Sequence, residues 1–152
     1  AKPHFGKVIL RDRVEIGCGV HIDRGTYEDT VIGQGTKIDN HCHFAHNTTI
    51  GKDCLITAGF IVAGSSDFGD NCIFAGRVSA NGHISVCSDV TMGPVSVISK
   101  NISKSGMYGG FPPVPYKDFI KNQAASISLY DMRKSVNKLL SKADVKREND
   151  ES

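Results

Sequence analysis

Apolar residues recur at every sixth position through the middle of this chain. Counting from Ile32, twelve consecutive positions of this hexad are apolar, the last being Ile98. The twelve are Ile32, Ile38, Phe44, Ile50, Ile56, Val62, Phe68, Phe74, Ala80, Val86, Met92 and Ile98. An earlier run with the same period contains Leu10, Ile16 and Ile22, and a ten-residue step separates it from Ile32. The segment DRGTYEDT therefore adds a four-residue excursion to the repeat.

Two weaker signals accompany the hexad. The position four residues after each hexad residue is mostly small or β-branched, and glycine often follows the hexad residue directly. A period of six fits neither a helix nor a simple alternating strand, but it fits a short strand followed by a two-residue corner. Three such units make a triangular turn of eighteen residues, with the large aliphatic residue inside and glycine permitting the bend. An ordinary β-sandwich would match all twelve positions only by coincidence.

The pattern therefore predicts an all-β solenoid over residues 1–108. Its parallel strands should stack about 4.8 Å apart in about five triangular turns. Residues 109–116 contain two glycines and three prolines, which predict a linker without helix or continued strand. Residues 117–142 read as a helix, and the charged residues 143–152 are predicted to be a disordered tail.

The predicted helix carries an imperfect apolar stripe and a set of basic residues. The stripe is formed by Phe119, Ile120, Ile127, Met132, Val136, Leu139 and Leu140. The basic residues are Lys121, Arg133, Lys134, Lys138 and Lys142. An apolar stripe on one helix needs a partner. The basic residues are either a solvated face or a docking surface for an acidic protein.

Composition narrows the class of protein. The net charge is +2, which does not indicate a nucleic-acid-binding protein. There is no apolar run of about 18 residues, so no membrane span is predicted. The opening sequence AKPHFGKVIL lacks the apolar core of a signal peptide, and the absence of an initial Met suggests a fragment or a processed chain.

The five cysteines indicate free thiols in a reducing compartment. Their number is odd, and no CxxC pair suggests a disulfide framework or a zinc site. Cys54 and Cys72 are eighteen residues apart and should lie one above the other, at a spacing that admits a disulfide. Small interior side chains are the favoured interpretation, because threonine and serine occupy equivalent places of the repeat.

Three histidines, His41, His43 and His46, lie close together in the sequence. No thiol or carboxylate completes a clear metal-ligand set with them, so no metal site is predicted.

His46 falls at an outward corner, two residues after Phe44. Gly64 follows eighteen residues later and His83 another nineteen, so the three should lie along one edge. His46 and His83 are then about 10 Å apart, two strand spacings.

This edge can support acyl transfer. Histidine is the usual general base near neutral pH, which gives His46 a role. The amide of Gly64 can stabilise an oxyanion, and a carboxylate such as Asp39 can orient the imidazole. Asp39 lies one corner away in its own chain, and the sequence leaves open whether it pairs with His46 within one subunit or from an adjacent subunit. Alternatively, His46 and His83 are ordinary exposed turn residues.

Several motifs together resemble one family of hexapeptide-repeat acyltransferases. They are RVEIG, IDRGTYEDTVIG, KIDN, FAHNTTIG, NGHISV and GGFPPVPYKDF. The family is that of the UDP-3-O-(3-hydroxyacyl)glucosamine N-acyltransferases of lipid A synthesis, and the similarity extends from about residue 7 to residue 140. The resemblance implies a left-handed parallel β-helix, a homotrimer and a location in the cytoplasm of a Gram-negative bacterium.

The resemblance also implies a reaction. A 3-hydroxyacyl chain passes from the 4'-phosphopantetheine thioester of acyl carrier protein to the 2-amino group of a UDP-acylglucosamine, with no permanently bound cofactor. Matching motifs place the base at His46, its orienting carboxylate at Asp39 and the oxyanion donor at Gly64. They place substrate-binding roles at His83, which also contacts pantetheine, and at Asn47. The carrier protein would dock near the C-terminal helical segment, and Lys134 and Lys138 are the residues we assign to that contact.

The sequence also departs from the family pattern. Family members carry an N-terminal uridine-binding domain and further solenoid turns that this sequence does not contain. This difference implies either the C-terminal part of a longer enzyme or a short chain with altered activity. The stretch TMGPVSVIS replaces a sequence richer in methionine and glycine near the acyl pocket. Two other functions remain open from the residues: a coenzyme A-dependent sugar acetyltransferase, and a non-catalytic trimeric scaffold that binds acyl carrier protein.

Overall fold

The computed structural model describes the backbone of residues 3–150 and the side chains of residues 3–140. Two compact units divide between Phe119 and Ile120, and the first is a parallel β-solenoid. Its strands are β1 (Val8–Leu10), β2 (Glu15–Ile16), β3 (His21–Ile22), β4 (Thr30–Ile32), β5 (Lys37–Ile38), β6 (His43–Phe44), β7 (Thr49–Ile50), β8 (Leu55–Ile56), β9 (Ile61–Val62), β10 (Asp67–Phe68), β11 (Ile73–Phe74), β12 (Ser79–Ala80), β13 (Ser85–Val86), β14 (Val90–Met92), β15 (Val97–Ile98) and β16 (Gly106–Gly109).

Successive strands belong to three different sheets. The first sheet contains β1, β4, β7, β10 and β13, the second contains β2, β5, β8, β11, β14 and β16, and the third contains β3, β6, β9, β12 and β15. From β4 to β15, paired residues within a sheet are eighteen apart, as in Ile32 with Ile50 and Phe44 with Val62. The strands of the first turn pair at a separation of twenty-two residues, because the four-residue excursion lies between the two turns. The predicted solenoid is therefore confirmed, with five turns and β16 beginning a sixth.

The hexad residues fill the interior. All twelve positions from Ile32 to Ile98 are at most 7% exposed. In the first turn, Leu10 and Ile16 are 48% and 42% exposed, because β1 and β2 each pair with a strand on one side only. The period of six thus identifies which side chains point to the interior. These side chains are fully buried only where another turn of the solenoid lies on each side of them.

An aromatic cluster interrupts the pattern of small residues. Phe60 occupies a place where the repeat predicts a small side chain, yet it is fully buried. Its ring centroid lies 5.6 Å from that of Phe44, 6.0 Å from that of Phe68 and 5.0 Å from that of Phe74. All three of these partners are hexad residues, so the Phe60 ring packs into the same interior as the hexad.

The small interior residues also hold neighbouring turns together. The Thr36 hydroxyl donates to the Gly51 carbonyl at 2.8 Å, and the Ser66 hydroxyl donates to the Asn81 carbonyl at 3.1 Å. In both cases the acceptor lies fifteen residues further along the chain. Side-chain donors in these places satisfy corner carbonyls that would otherwise be costly to bury.

Three cysteines make the same contact through their thiols. The pairs are Cys42 with the Thr57 carbonyl at 3.4 Å, Cys54 with the Gly69 carbonyl at 3.3 Å and Cys72 with the Cys87 carbonyl at 3.4 Å. All five cysteines are free in the structure. Burial raises the pKa of the Cys42 thiol because the thiolate would lose its solvation. A thiol donor explains why cysteine, serine and threonine alternate at these places.

The segment after the repeat differs from its prediction. Within residues 109–116, where we predict a linker without strand, β16 continues the second sheet to Gly109. β17 (Val114–Pro115) then pairs antiparallel with β16. The proline ring in β17 is tolerated because edge strands do not need every backbone donor.

Two helices follow instead of one. They are α1 (Tyr116–Ile127) and α2 (Leu129–Asp150). The break is at Ser128, whose hydroxyl and amide both contact the Ala125 carbonyl at 3.1 Å and so compete with regular helical bonding. α2 continues through most of residues 143–152, where the sequence predicts a disordered tail, because alanine, lysine, arginine and glutamate all favour helix.

Apart from the partly buried Phe119, the described residues of the apolar stripe of the helices are exposed in the single chain. Ile127 is 87% exposed and Leu139 is 67% exposed. The side chain of Lys142 lies outside the described residues. Among the helices described, none is long and apolar enough to cross a membrane.

If the hydrogen bonds between turns stabilise the solenoid, removing the Thr36 hydroxyl should lower its stability. Thr36→Val keeps the shape but leaves the Gly51 carbonyl and the Cys54 amide without their partner. The free energy of unfolding should fall by about 1–3 kcal/mol, measured by urea denaturation. Thr36→Ser keeps the hydroxyl and is the matched control. Equal stability of the two variants would show that these contacts do not hold the turns.

Candidate functional site

The structure places His46, Gly64 and His83 along one corner of the solenoid. We call the stacked residues 45–48, 63–66 and 81–84 the His46 corner, which joins the third sheet to the first. The Ser65 amide donates to the His46 carbonyl at 2.9 Å, and the His83 amide donates to the Gly64 carbonyl at 3.1 Å. The turn length of eighteen residues thus brings these residues together as the sequence predicts.

His83 lies one residue beyond the exact register position of His46, two turns away. The backbone of His83 therefore has a different conformation from that of His46. Its exact register partners are Asn47 and Ser65, and the three have φ angles of 57°, 59° and 59°. This left-handed region is uncommon for residues other than glycine, and asparagine and histidine are among those that tolerate it best. The corner therefore presents two parallel columns, one with His46 and Gly64, the other with Asn47, Ser65 and His83.

The imidazole of His46 packs directly over Gly64. A Cβ atom added to Gly64 would lie 2.7 Å from His46 Cε1 and 2.8 Å from the His46 carbonyl oxygen. Only glycine leaves room for the ring at this place. Among the described residues, the Gly64 amide has no hydrogen-bond acceptor, whereas the amide of Ala63 donates to the next turn and that of Ser65 to the preceding turn. An unused N–H therefore lies beside a histidine ring.

Asn47 connects the corner to the excursion segment. Its Oδ1 lies 3.0 Å from His46 Nδ1 and accepts a hydrogen bond from the Thr26 amide at 3.1 Å. Its Nδ2 donates to the Glu28 carbonyl at 3.0 Å, and its backbone amide donates to Thr30 Oγ1 at 2.9 Å. Sequence reasoning missed this connection, although the four-residue excursion was the signal for it.

The excursion segment is held by the start of the chain. The amides of Phe5 and Gly6 donate to the Thr26 carbonyl at 2.7 and 3.2 Å, and Arg24 Nε donates to the Gly6 carbonyl at 2.9 Å. The rings of Phe5 and Tyr27 lie 6.3 Å apart. These contacts fix the backbone atoms that Asn47 recognises.

A polar groove of about 350 Å³ lies beside the His46 corner. Its walls come from the excursion segment, from the corner and from the outer face of the first sheet. The lining residues are Thr26, Tyr27, Glu28, Asp29, Asn47, Thr49, Ser65 and Asp67. Three carboxyl groups and several hydroxyl and amide groups suit this groove to a polar ligand.

Asp39 lies on a different corner from His46. It follows β5 in the second sheet, and its amide donates to the Ile56 carbonyl at 2.8 Å. Its Oδ1 accepts a hydrogen bond from the Asn40 amide at 2.7 Å. A shallow groove of about 340 Å³ there is lined in part by Asp39, Lys37 and Thr57. One chain therefore does not bring the carboxylate to the imidazole.

The other histidines near the site do not form a cluster of metal-binding side chains. His43 Nε2 lies 3.9 Å from Asp23 Oδ2, a long contact between two half-exposed side chains. Where side chains are described, no group of three or more histidine, cysteine or acidic residues could hold a metal ion.

Lys134 and Lys138 are exposed residues of α2. Lys134 Nζ lies 4.4 Å from the ring centroid of Tyr130, a cation–π contact within the helix. The structure thus keeps both ammonium groups at the helix surface, four residues apart.

Part of the solenoid matches a known repeat family. Residues 29–59 match the family described as bacterial transferase hexapeptide (six repeats). This segment runs from the end of the excursion to residue 59 and includes residues 45–48 of the His46 corner.

Curated proteins named UDP-3-O-acylglucosamine N-acyltransferase are similar to most of the chain. The Campylobacter lari protein is 41% identical over 127 residues, which are 84% of this chain and 40% of the relative. The Methylococcus capsulatus protein is 39% identical over 137 residues, 90% of this chain and 39% of the relative. An Arabidopsis thaliana relative, described as probable and mitochondrial, is 41% identical over 120 residues, 79% of this chain and 40% of the relative. The chain spans about two fifths of the length of these relatives.

Solved structures share the fold at lower identity. A GDP-perosamine N-acetyl transferase mutant from Caulobacter crescentus, in complex with CoA and GDP-perosamine, has a TM-score of 0.59 at 18% identity, over 70% of this chain and 52% of that one. UDP-N-acetylglucosamine O-acyltransferase from Moraxella catarrhalis has a TM-score of 0.52 at 24% identity, over 68% of this chain and 44% of that one. These similarities support the solenoid fold.

Because His46 packs so closely against Gly64, a larger residue at position 64 should destabilise the fold. Gly64→Ala forces a methyl group against the His46 carbonyl and ring, and should lower the free energy of unfolding by about 1–3 kcal/mol. Gly76→Ala is the matched control, because the nearest atom to its added Cβ is 3.9 Å away. Denaturant unfolding of both variants measures the difference. A Gly64→Ala protein as stable as the Gly76→Ala protein would contradict the packing described.

Proposed function

Because most of this chain is homologous to the UDP-3-O-acylglucosamine N-acyltransferases, we propose that it is the acyl-transfer part of such an enzyme. The reaction moves a 3-hydroxyacyl chain from the phosphopantetheine thioester of acyl carrier protein to the 2-amino group of a UDP-acylglucosamine. One observation carries the proposal: the His46 ring packs against Gly64, whose amide has no acceptor among the described residues. A base and an oxyanion donor thus lie side by side.

His46 acts as the general base. Its unprotonated ring nitrogen takes a proton from the acceptor amine as the amine nitrogen attacks the thioester carbon. The new C–N bond converts the carbonyl to an oxyanion, which accepts a hydrogen bond from the Gly64 amide. The oxyanion then collapses, the C–S bond breaks, and the leaving thiolate takes the proton from the His46 imidazolium. The products are an amide and a free thiol, and the base is restored.

The site extends along the corner and into the groove. His83 is two turns from His46, about 10 Å along the edge, where it can contact the substrate and the pantetheine arm. The polar groove beside Asn47 has the size and hydrogen-bonding groups for the acceptor sugar. The acyl group arrives as a thioester, so the proposal needs no permanently bound cofactor. We assign the reaction to the cytoplasm of a Gram-negative bacterium because the first relatives are bacterial proteins named for the lipid A enzyme.

A homotrimer completes the site. Asp39 is on another corner and can orient His46 only from an adjacent subunit, and three triangular solenoids around a threefold axis bring unlike corners together. The outer faces of the second and third sheets expose Leu55, Ile61 and Ile73 by 44%, 52% and 41%. Exposed apolar side chains on these faces favour contact with another subunit.

Replacing the base tests the proposed reaction. His46→Ala should lower the rate of acyl transfer by about 10²–10⁴-fold, measured by mass spectrometry of the product with acyl carrier protein as donor. His4→Ala is the control, because His4 is exposed and outside the site. Equal product formation by both variants would contradict the role of His46. Turnover with acetyl-CoA alone would contradict the donor.

The carrier-protein contact has its own test. Lys134→Glu with Lys138→Glu should weaken binding of acyl carrier protein, more so at low salt, where charge interactions reach further. Lys7→Glu with Lys52→Glu changes the net charge equally at exposed places on the solenoid and serves as the control. Affinities measured by calorimetry at two salt concentrations give the result. The same affinity for both double variants would overturn the assignment to α2.

A further inference from the structure

An imidazole acts as a base only through the nitrogen that carries no proton. A neutral histidine has one N–H and one acceptor nitrogen, and the partner of one nitrogen decides the state of the other. For His46, the described partner is the side chain of Asn47, 3.0 Å from Nδ1. The orientation of that amide therefore decides which nitrogen faces the substrate.

Two backbone groups fix the orientation of the Asn47 amide. The Thr26 amide can only donate, and it contacts Oδ1 at 3.1 Å. The Glu28 carbonyl can only accept, and it contacts Nδ2 at 3.0 Å. Reversing the amide would place a donor against a donor and an acceptor against an acceptor. The Asn47 oxygen therefore faces His46.

An amide oxygen only accepts, so His46 Nδ1 must be the donor in this contact. The proton is then on Nδ1, and Nε2 carries the lone pair. The same oxygen also accepts from the Thr26 amide, so the excursion segment and the histidine share one acceptor.

We propose that Asn47 is a positioning residue that holds His46 with its proton on Nδ1 and so presents Nε2 as the base. Asn47 acts through His46 and within the same chain, in contrast to Asp39, which lies on another corner. The proton position itself is a property of the free protein. Its use in catalysis rests on the proposed function.

The excursion segment then has a specific purpose. Its Thr26 amide and Glu28 carbonyl clamp both ends of the Asn47 side chain, while Thr30 Oγ1 accepts from the Asn47 backbone amide at 2.9 Å. A plain hexad would provide the corner without this clamp. The residues of the excursion segment thus determine, through Asn47, which ring nitrogen of His46 carries the proton.

Nitrogen NMR of the ¹⁵N-histidine-labelled chain tests the proton position without substrate. His46→Gln assigns the His46 signals, recorded at a pH where the ring is neutral. We expect protonated Nδ1 in the unaltered chain and loss of this fixed state in Asn47→Gly, since glycine keeps the positive φ of 59° without strain. Asn47→Asp retains the acceptor oxygen and should restore the Nδ1 proton.

A further variant separates positioning from general loosening. Arg24→Met removes the hydrogen bond to the Gly6 carbonyl in the same segment and should leave the His46 signals unchanged. A proton on Nε2 in the unaltered chain, no response to Asn47→Gly, or a response to Arg24→Met of the size expected for Asn47→Gly would each overturn the proposal.

Kinetics connect the proton position to the reaction. Asn47→Gly should lower kcat by at least about tenfold, short of the about 10²–10⁴-fold loss expected without the base. The KM for the acceptor should change little, because the amide acts on the base rather than on the sugar. A rise in KM with kcat intact would instead make Asn47 a substrate-binding residue and overturn its positioning role. If the NMR result is as expected but His46→Ala remains active, the proposed function fails and the proton assignment stands.

Discussion

The parallel hydrogen-bonded register between successive turns is the constraint on which the site depends. Each strand between β4 and β12 pairs with the strands one turn before and after it, so around the His46 corner residue i is fixed beside residue i+18. The interior hexad prevents a slip by one residue, because a slip would turn the large apolar side chains outward. Donor side chains such as Thr36 and Ser66 add a second, sequence-specific connection between turns. His46 therefore lies over Gly64 as a consequence of backbone pairing along the whole solenoid.

The groups proposed for catalysis lie at a corner of the solenoid rather than on its strands. Strand amides are used in the ladders, but corner residues can leave an N–H without an acceptor, as Gly64 does in the described structure. The left-handed residues Asn47, Ser65 and His83 add a second column whose side chains project from the same edge. The corner thus presents a free amide, an imidazole and an amide side chain beside one another.

The sequence predicted the regular part of this arrangement well. Period six gave the interior residues, and the eighteen-residue turn gave both the alignment of His46 with Gly64 and the separation of Asp39 from His46. It did not predict the large Phe60 at a small position, because packing volume is shared among neighbouring strands and no single position reveals it. It also missed the extent of α2, where charged helix-forming residues resemble a disordered segment in composition.

The role of Asn47 was missed for a different reason. Its partners Thr26 and Glu28 belong to an excursion that breaks the repeat, so their positions cannot be obtained by counting in eighteens. The hydrogen bonds exist only because this segment folds back along the corner, held by Phe5 and Gly6. Irregular segments next to a regular scaffold are where three-dimensional coordinates add most to sequence reasoning.

A crystal structure of the chain with a stable amide analogue of an acyl-phosphopantetheine thioester tests the central claim most directly. The account predicts the analogue's carbonyl oxygen about 2.7–3.1 Å from the Gly64 nitrogen, with His46 Nε2 facing the carbonyl carbon. An analogue bound along another corner, or a His46 ring that does not contact Gly64, would contradict it.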